Sequence, residues 1–145
     1  MNSIEFITLA RTLADSETSG PAGYRSAVSR AYYGAFLSVQ AMIEIDLALP
    51  CKLGTLSEHA VVQRFLLNCQ VPEAAELGRL LGNLHEFRKD ADYQMADTTY
   101  EDRGESRLCV DRADEIMVRL HQCSTMVMRQ KIKAGIIQYR RAVNG

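Results

Sequence analysis

Apolar residues recur at helical spacing along almost the whole chain, and nowhere do they alternate in the strand pattern. A chain written this way has one way to hide its apolar surface, which is to pack amphipathic helices against each other. The 145 residues suit one domain and are enough to bury a core without metal or disulfide staples. The expected fold is all-α, an antiparallel bundle of about five helices with short connections.

The punctuation divides the chain. Residues 2–14 carry Phe6, Leu9, Ala10 and Leu13 on one face, and the turn chemistry of 15–21 (DSETSGP) ends that helix. A long second helix spans 23–45, with Val28, Ala31, Tyr32, Ala35, Val39 and Met42 as its stripe. Its alanines allow close helix approach, and its aromatics fill the remaining volume. Pro50 and Gly54 mark a loop over 46–54. Thr55 and Glu58 have the spacing of a capping box opening a third helix, whose apolar face is Val62, Phe65, Leu66 and Cys69. Pro72 suits the first turn of a fourth helix, running to about Ala91. The pattern breaks over 94–102. A last helix then starts near Arg103, its stripe passing through Cys109, Ala113, Ile116, Met117, Leu120 and Val127. Two parts are expected: a helical bundle over 1–128 and a basic C-terminal helix or tail over 129–145.

Composition removes several function classes. The net charge of −1 supplies no global basic field for nucleic acid. No secretory leader and no membrane-length apolar run is visible, so a cytoplasmic location is expected. Cys51, Cys69, Cys109 and Cys123 are scattered, which suits small core or surface thiols in a reducing compartment. His59, His85 and His121 do not stand at ligand spacing from any cysteine, so neither a metal site nor a cofactor is expected.

The chemistry concentrates on two helices. In the fourth, LGRLLGNLHEFRKDADY over 77–93, Leu77, Leu80, Leu81 and Leu84 form one apolar face. At about 100° per residue, Arg88 falls within a few tens of degrees of the centre of that stripe. A guanidinium aimed at a core is costly unless it is paired or lines a cleft or interface. Asp92 is four residues on and in reach, and His85 lies three residues back on the same side. In the second helix, Tyr32 and Phe36 point inward, while Ser29, Tyr33 and Gln40 form a polar shoulder flanked by Arg25 and Arg30. Adjacent tyrosines cannot face the same way, so one phenol is core and the other needs a partner at the edge. A third candidate is the basic cluster Arg129, Lys131, Lys133, Arg140 and Arg141 around Tyr139. It is suited either to neutralising RNA phosphates or to lying solvated at a helix end. Ile132, Ile136 and Ile137 in the same segment require burial, on the bundle or in a dimer contact.

Two blocks carry a family resemblance. The second helix reads RSAVSRAYYGAFLSVQAMI over 25–43, and the fourth ends LHEFRKDADY over 84–93. Together they resemble the higher eukaryotes and prokaryotes nucleotide-binding (HEPN) family. The likeness is to bacterial members with a Ser-Arg-Ala-Tyr-Tyr block and a later Arg-x-x-Ala-Asp-Tyr block. His59 falls where that branch carries a histidine opening a helix. The resemblance implies a compact HEPN-like bundle that forms a homodimer. Many members are metal-independent ribonucleases, toxins or antiphage factors, and others are noncatalytic RNA-binding or scaffolding domains. Bacterial members are commonly encoded beside a minimal nucleotidyltransferase antitoxin. In the ribonuclease branch an arginine is followed four to six residues later by a histidine, and Arg88 matches that arginine. Asp92 and Tyr93 stand where the histidine belongs, and no histidine follows before His121. Aspartate is already ionised near neutrality and a weak base there, and an ordinary tyrosine titrates near 10. His85 is the histidine placed to act instead. The expected function is an RNA-related component of a toxin–antitoxin or defence pair. In it Arg88, Asp92, Tyr93 and His85 would form the catalytic group of a ribonuclease with a departed motif, supported by Ser29, Tyr32, Tyr33 and His59. The competing expectation is a noncatalytic helical dimerisation or protein-interaction module.

Overall fold

The computed structural model describes residues 2–144, so Met1 and Gly145, the outer ends of the two expected parts, lie outside the described residues. The chain is all-α. Among the described residues six α-helices follow in order: α1 (Ile4–Asp15), α2 (Gly20–Ala41), α3 (Glu58–Asn68), α4 (Pro72–Tyr93), α5 (Arg103–Gln122) and α6 (Met126–Asn144). A wider turn over Met42–Asp46 closes α2, and a single 3-10 turn, Thr99–Glu101, precedes α5. No strand occurs among the described residues. None of their helices is long and apolar enough to cross a membrane.

Several boundaries differ from those the sequence suggests. Helix α2 begins at Gly20, not 23, because Pro21 opens it. The fixed φ of proline fits a first helical turn, where its missing N–H is no loss. Helix α3 is capped by Ser57, whose hydroxyl accepts from the Ala60 N–H at 3.2 Å, and the expected Thr55 capping box does not form. The last helix of the expected bundle ends before its apolar stripe does, and the basic C-terminal segment is a helix that begins at Met126. Helix α5 stops at Gln122, and Thr125 Oγ1 caps the next by accepting from Met128 N at 3.3 Å. The break carries Val127 out of the buried stripe and leaves it exposed. In α1 the buried positions are Ile7, Ala10 and Ala14, so Leu9 faces solvent.

Two compact units are built from these helices. The first comprises residues up to Ser38 with Leu81–Met117, and the second comprises Val39–Leu80 with residues from Val118 on. In the first, α1 lies close against α2. A Cβ on Gly34 would stand 2.5 Å from Ile7 Cγ1 and 3.0 Å from the Ser3 carbonyl, so only glycine permits this approach. Val28, Tyr32, Phe36, Leu84, Val110 and Ile116 are its buried bulk. In the second unit α3 packs on α6, with the Phe65 and Tyr139 rings edge to face at 6.4 Å. Ile132 and Ile136 are fully buried there, and Gly135 presses directly on the Cys69 carbonyl.

Candidate functional site

The first unit brings together residues from α2 and α4. On α2, Ser29 and Tyr33 are one turn apart, and Tyr32 lies between their face and the core. On α4, His85, Arg88 and Asp92 descend one face at intervals of three and four residues, and Tyr93 ends the helix. Arg88 is the centre. Its side chain is only 12% exposed. One Nη donates to the Tyr33 hydroxyl at 2.6 Å and lies 3.5 Å from the Tyr93 hydroxyl. Its Nε stands 2.9 Å from Asp92 Oδ2, yet that N–H is not aligned for a hydrogen bond, so this contact is a charge pair without direction. The same carboxylate oxygen accepts from Ser29 Oγ at 3.1 Å.

Two phenol rings flank the cation. The Arg88 Cζ is 4.9 Å from the Tyr33 ring centroid and 5.4 Å from that of Tyr93. Each such contact contributes about 0.5–2 kcal/mol, depending on how far it is desolvated. Behind them, Tyr32 is fully buried, with its ring stacked on His85 at 4.8 Å and 15°. Burial pushes the Tyr32 phenol well above its ordinary pKa, and the nearby Arg88 charge offsets part of that. Tyr32 therefore stays protonated and acts as a wall of the site, not as a base. Tyr93 is 66% exposed and is the part of the group that meets solvent. No family model, curated protein or solved structure matches the chain.

The other candidates are described within their own units. His59 is half-buried in the first turn of α3, in the second unit. Gln40 donates to Glu58 Oε2 at 3.0 Å, also in the second unit. Arg30 lies over the Phe6 ring at 5.7 Å. The basic residues Arg129, Lys131, Lys133, Arg140 and Arg141 all sit on α6 but do not share one face. At 100° per residue, Lys131 points about 180° away from Arg140. Among the described residues no group of His, Cys, Asp or Glu is arranged to hold a metal ion.

The sequence places Arg25 only as a flank of the polar shoulder, and its structural role is larger. Arg25 is 8% exposed and ties down the segment after α4. Its guanidinium donates to the carbonyls of Ala91 (2.8 Å), Gln94 (3.3 Å), Met95 (3.4 Å) and Asp97, and to Glu101 Oε1 at 3.0 and 3.1 Å. These are the orphan acceptors of a helix C-terminus and the turn beyond it. The signal was present: Arg25 is four residues before Ser29 and seven before Tyr32, hence on the inward side of α2. By anchoring 94–101, it fixes where α4 ends and so where Tyr93 is presented.

Proposed function

We propose that this chain is the HEPN-type component of a toxin–antitoxin or defence pair and that it acts on RNA through Arg88. The observation that carries this reading is an arginine held nearly dry between two tyrosines at the edge of its unit, with one phenol open to solvent. A guanidinium in that setting is prepared for a phosphodiester. It offers charge and fixed donors, and Tyr93 offers a face for an adjoining base. In cleavage, a ribose 2′-hydroxyl gives up its proton and attacks the neighbouring phosphorus, Arg88 stabilises the negative charge that develops on the phosphorane, and the bond from phosphorus to the 5′-oxygen breaks, that oxygen leaving as a hydroxyl with a 2′,3′-cyclic phosphate behind it. His85, its ring set against Tyr32, is the proton carrier at hand. No metal or cofactor is required. The protein works in the cytoplasm as a homodimer, with a minimal nucleotidyltransferase as its partner.

A second reading has its own support. Asp92 and Ser29 already occupy one side of the cation, and the family's histidine is missing after Arg88. Under this reading the cluster sets helix register and the chain is a noncatalytic interaction module.

Purified protein incubated with mixed RNA under chelation distinguishes the two. Cleavage that leaves 2′,3′-cyclic phosphate ends and falls at least about 100-fold in Arg88→Ala supports the first reading. Equal cleavage by both proteins removes Arg88 from the chemistry, and no cleavage by either favours the interaction module.

A further inference from the structure

Within the second unit, helix α6 carries a surface of its own. A cleft of about 410 Å³ is lined by Met126, Arg129, Gln130 and Lys133 of α6 together with Asp46 and Leu47. Another, of about 260 Å³, is lined by Ile137, Arg140, Arg141 and Asn144. At 100° per residue these eight α6 positions fall within about 120° of the helix circumference, so both clefts belong to one continuous face.

That face asks for acidic groups at a fixed spacing. No Asp or Glu occurs on α6. Among the described residues Asp46 is the one acid lining either cleft, and it is engaged by an Arg129 Nη at 3.2 Å. The Nε atoms of Arg129 and Arg140 are both buried and find no acceptor among the described residues. Those two N–H groups are covered by the chain's own atoms, so a partner meets each guanidinium at its outer nitrogens; the Arg129 side chain is 41% exposed. The two arginines are eleven residues apart, which places them about 16.5 Å apart along the axis and within about 20° of each other around it. Ile137 lies between them, half-buried. Met126 and Val127, with Ile45 beside Asp46, are exposed at the N-terminal end, at 76%, 60% and 76%.

We propose that this face of α6 docks an acidic amphipathic helix of a partner protein. Two carboxylates of that helix, eleven residues apart, meet Arg129 and Arg140, and an apolar side chain between them packs on Ile137. A helix laid alongside has the same rise per residue, so its acids reproduce the 16.5 Å interval without strain. A nucleic-acid backbone fits less well. It carries a charge at every nucleotide and gives nothing to the exposed Ile45, Met126 and Val127. A second copy of this chain is also a poor fit. Its acids stand eleven apart only at 86 and 97 and at 90 and 101, and both pairs straddle the end of α4 at Tyr93.

The test uses the full chain and a labelled helical peptide with glutamates eleven residues apart and leucines between them. The control peptide has the same composition with glutamates nine apart, on opposite faces. Fluorescence anisotropy should show the in-register peptide binding at least tenfold tighter than the control, with that preference lost in the double variant Arg129→Gln/Arg140→Gln. Circular dichroism reports whether the variant is folded. Should it not be, Lys133→Glu, a change at an exposed position, must weaken the in-register peptide at least fivefold. Equal binding of the two peptides, or binding of neither, overturns the proposal. So does a mixed-sequence single-stranded RNA that binds tighter than the in-register peptide and is lost in the same variant, which would make the face a nucleic-acid surface.

Discussion

The Tyr33 hydroxyl accepts a hydrogen bond from the Arg88 guanidinium at 2.6 Å, while the same cation lies 4.9 Å from the centre of the Tyr33 ring. One side chain thus holds the arginine in two ways, through its oxygen and through its π face. Both contacts come from α2, so the position of the cation on α4 is decided by its neighbouring helix as much as by Asp92.

The two contacts can be separated. Tyr33→Phe keeps the ring and removes the acceptor, and it should cost about 1.5–3 kcal/mol, the range for a hydrogen bond to a charged group. Tyr33→Leu should cost a further 0.5–2 kcal/mol or so by removing the π face. Urea unfolding measures both. Equal destabilisation by the two variants would show that the ring contributes nothing.

Arg25→Met retains most of the stem and removes every donor. The carbonyls of Ala91, Gln94, Met95 and Asp97 then lose their shared partner, and Glu101 loses its cation. We expect a loss of about 3–5 kcal/mol, the cost of breaking a buried charged group's set of bonds. Amide hydrogen exchange should speed up first over 94–101. A loss below about 1 kcal/mol with unchanged exchange would mean that this segment holds itself in place.

The four cysteines are buried and free. Burial raises Cys51 to about 12 and Cys109 to about 11, from an ordinary 9.0. Glu44 adds to the shift at Cys51, whereas Arg112 opposes it at Cys109. The unfolded chain therefore gives up these protons before the folded one does. Their contribution to stability is full below about pH 9 and is lost as pH rises through the interval from 9 to about 12. Urea midpoints measured from pH 7 to 10.5 should be flat and then fall. Replacing Cys51 and Cys109 by alanine should flatten the decline, and an unaltered slope would place its origin in other groups.

Much of the architecture was legible in advance because helix periodicity is a local property. The stripes of α2 and α4 needed only 3.6-residue spacing, and the buried Tyr32 with an edge-facing Tyr33 followed from the 100° between neighbours. The boundary at Gln122 was not legible. Apolar spacing continues to Val127, and the structure shows the break instead, where Thr125 caps a separate α6 that packs against α3. Likewise, Ser57 displaced Thr55 as the cap of α3, since capping depends on where the chain enters the helix and not on the spacing of capping residues alone.

The amino-acid order alone determined that the chain is helical, and that Arg88, Asp92 and His85 share one side of α4. Both are consequences of bonding and rotation within a single helix. Only the tertiary structure decided that Tyr33 and Ser29 complete the Arg88 group, that Arg25 gathers the carbonyls beyond α4, and that Arg129 and Arg140 each keep a buried N–H without an acceptor among the described residues. Those facts depend on which helices meet and at what depth, a choice made by the packing of whole faces and carried by no short stretch of residues.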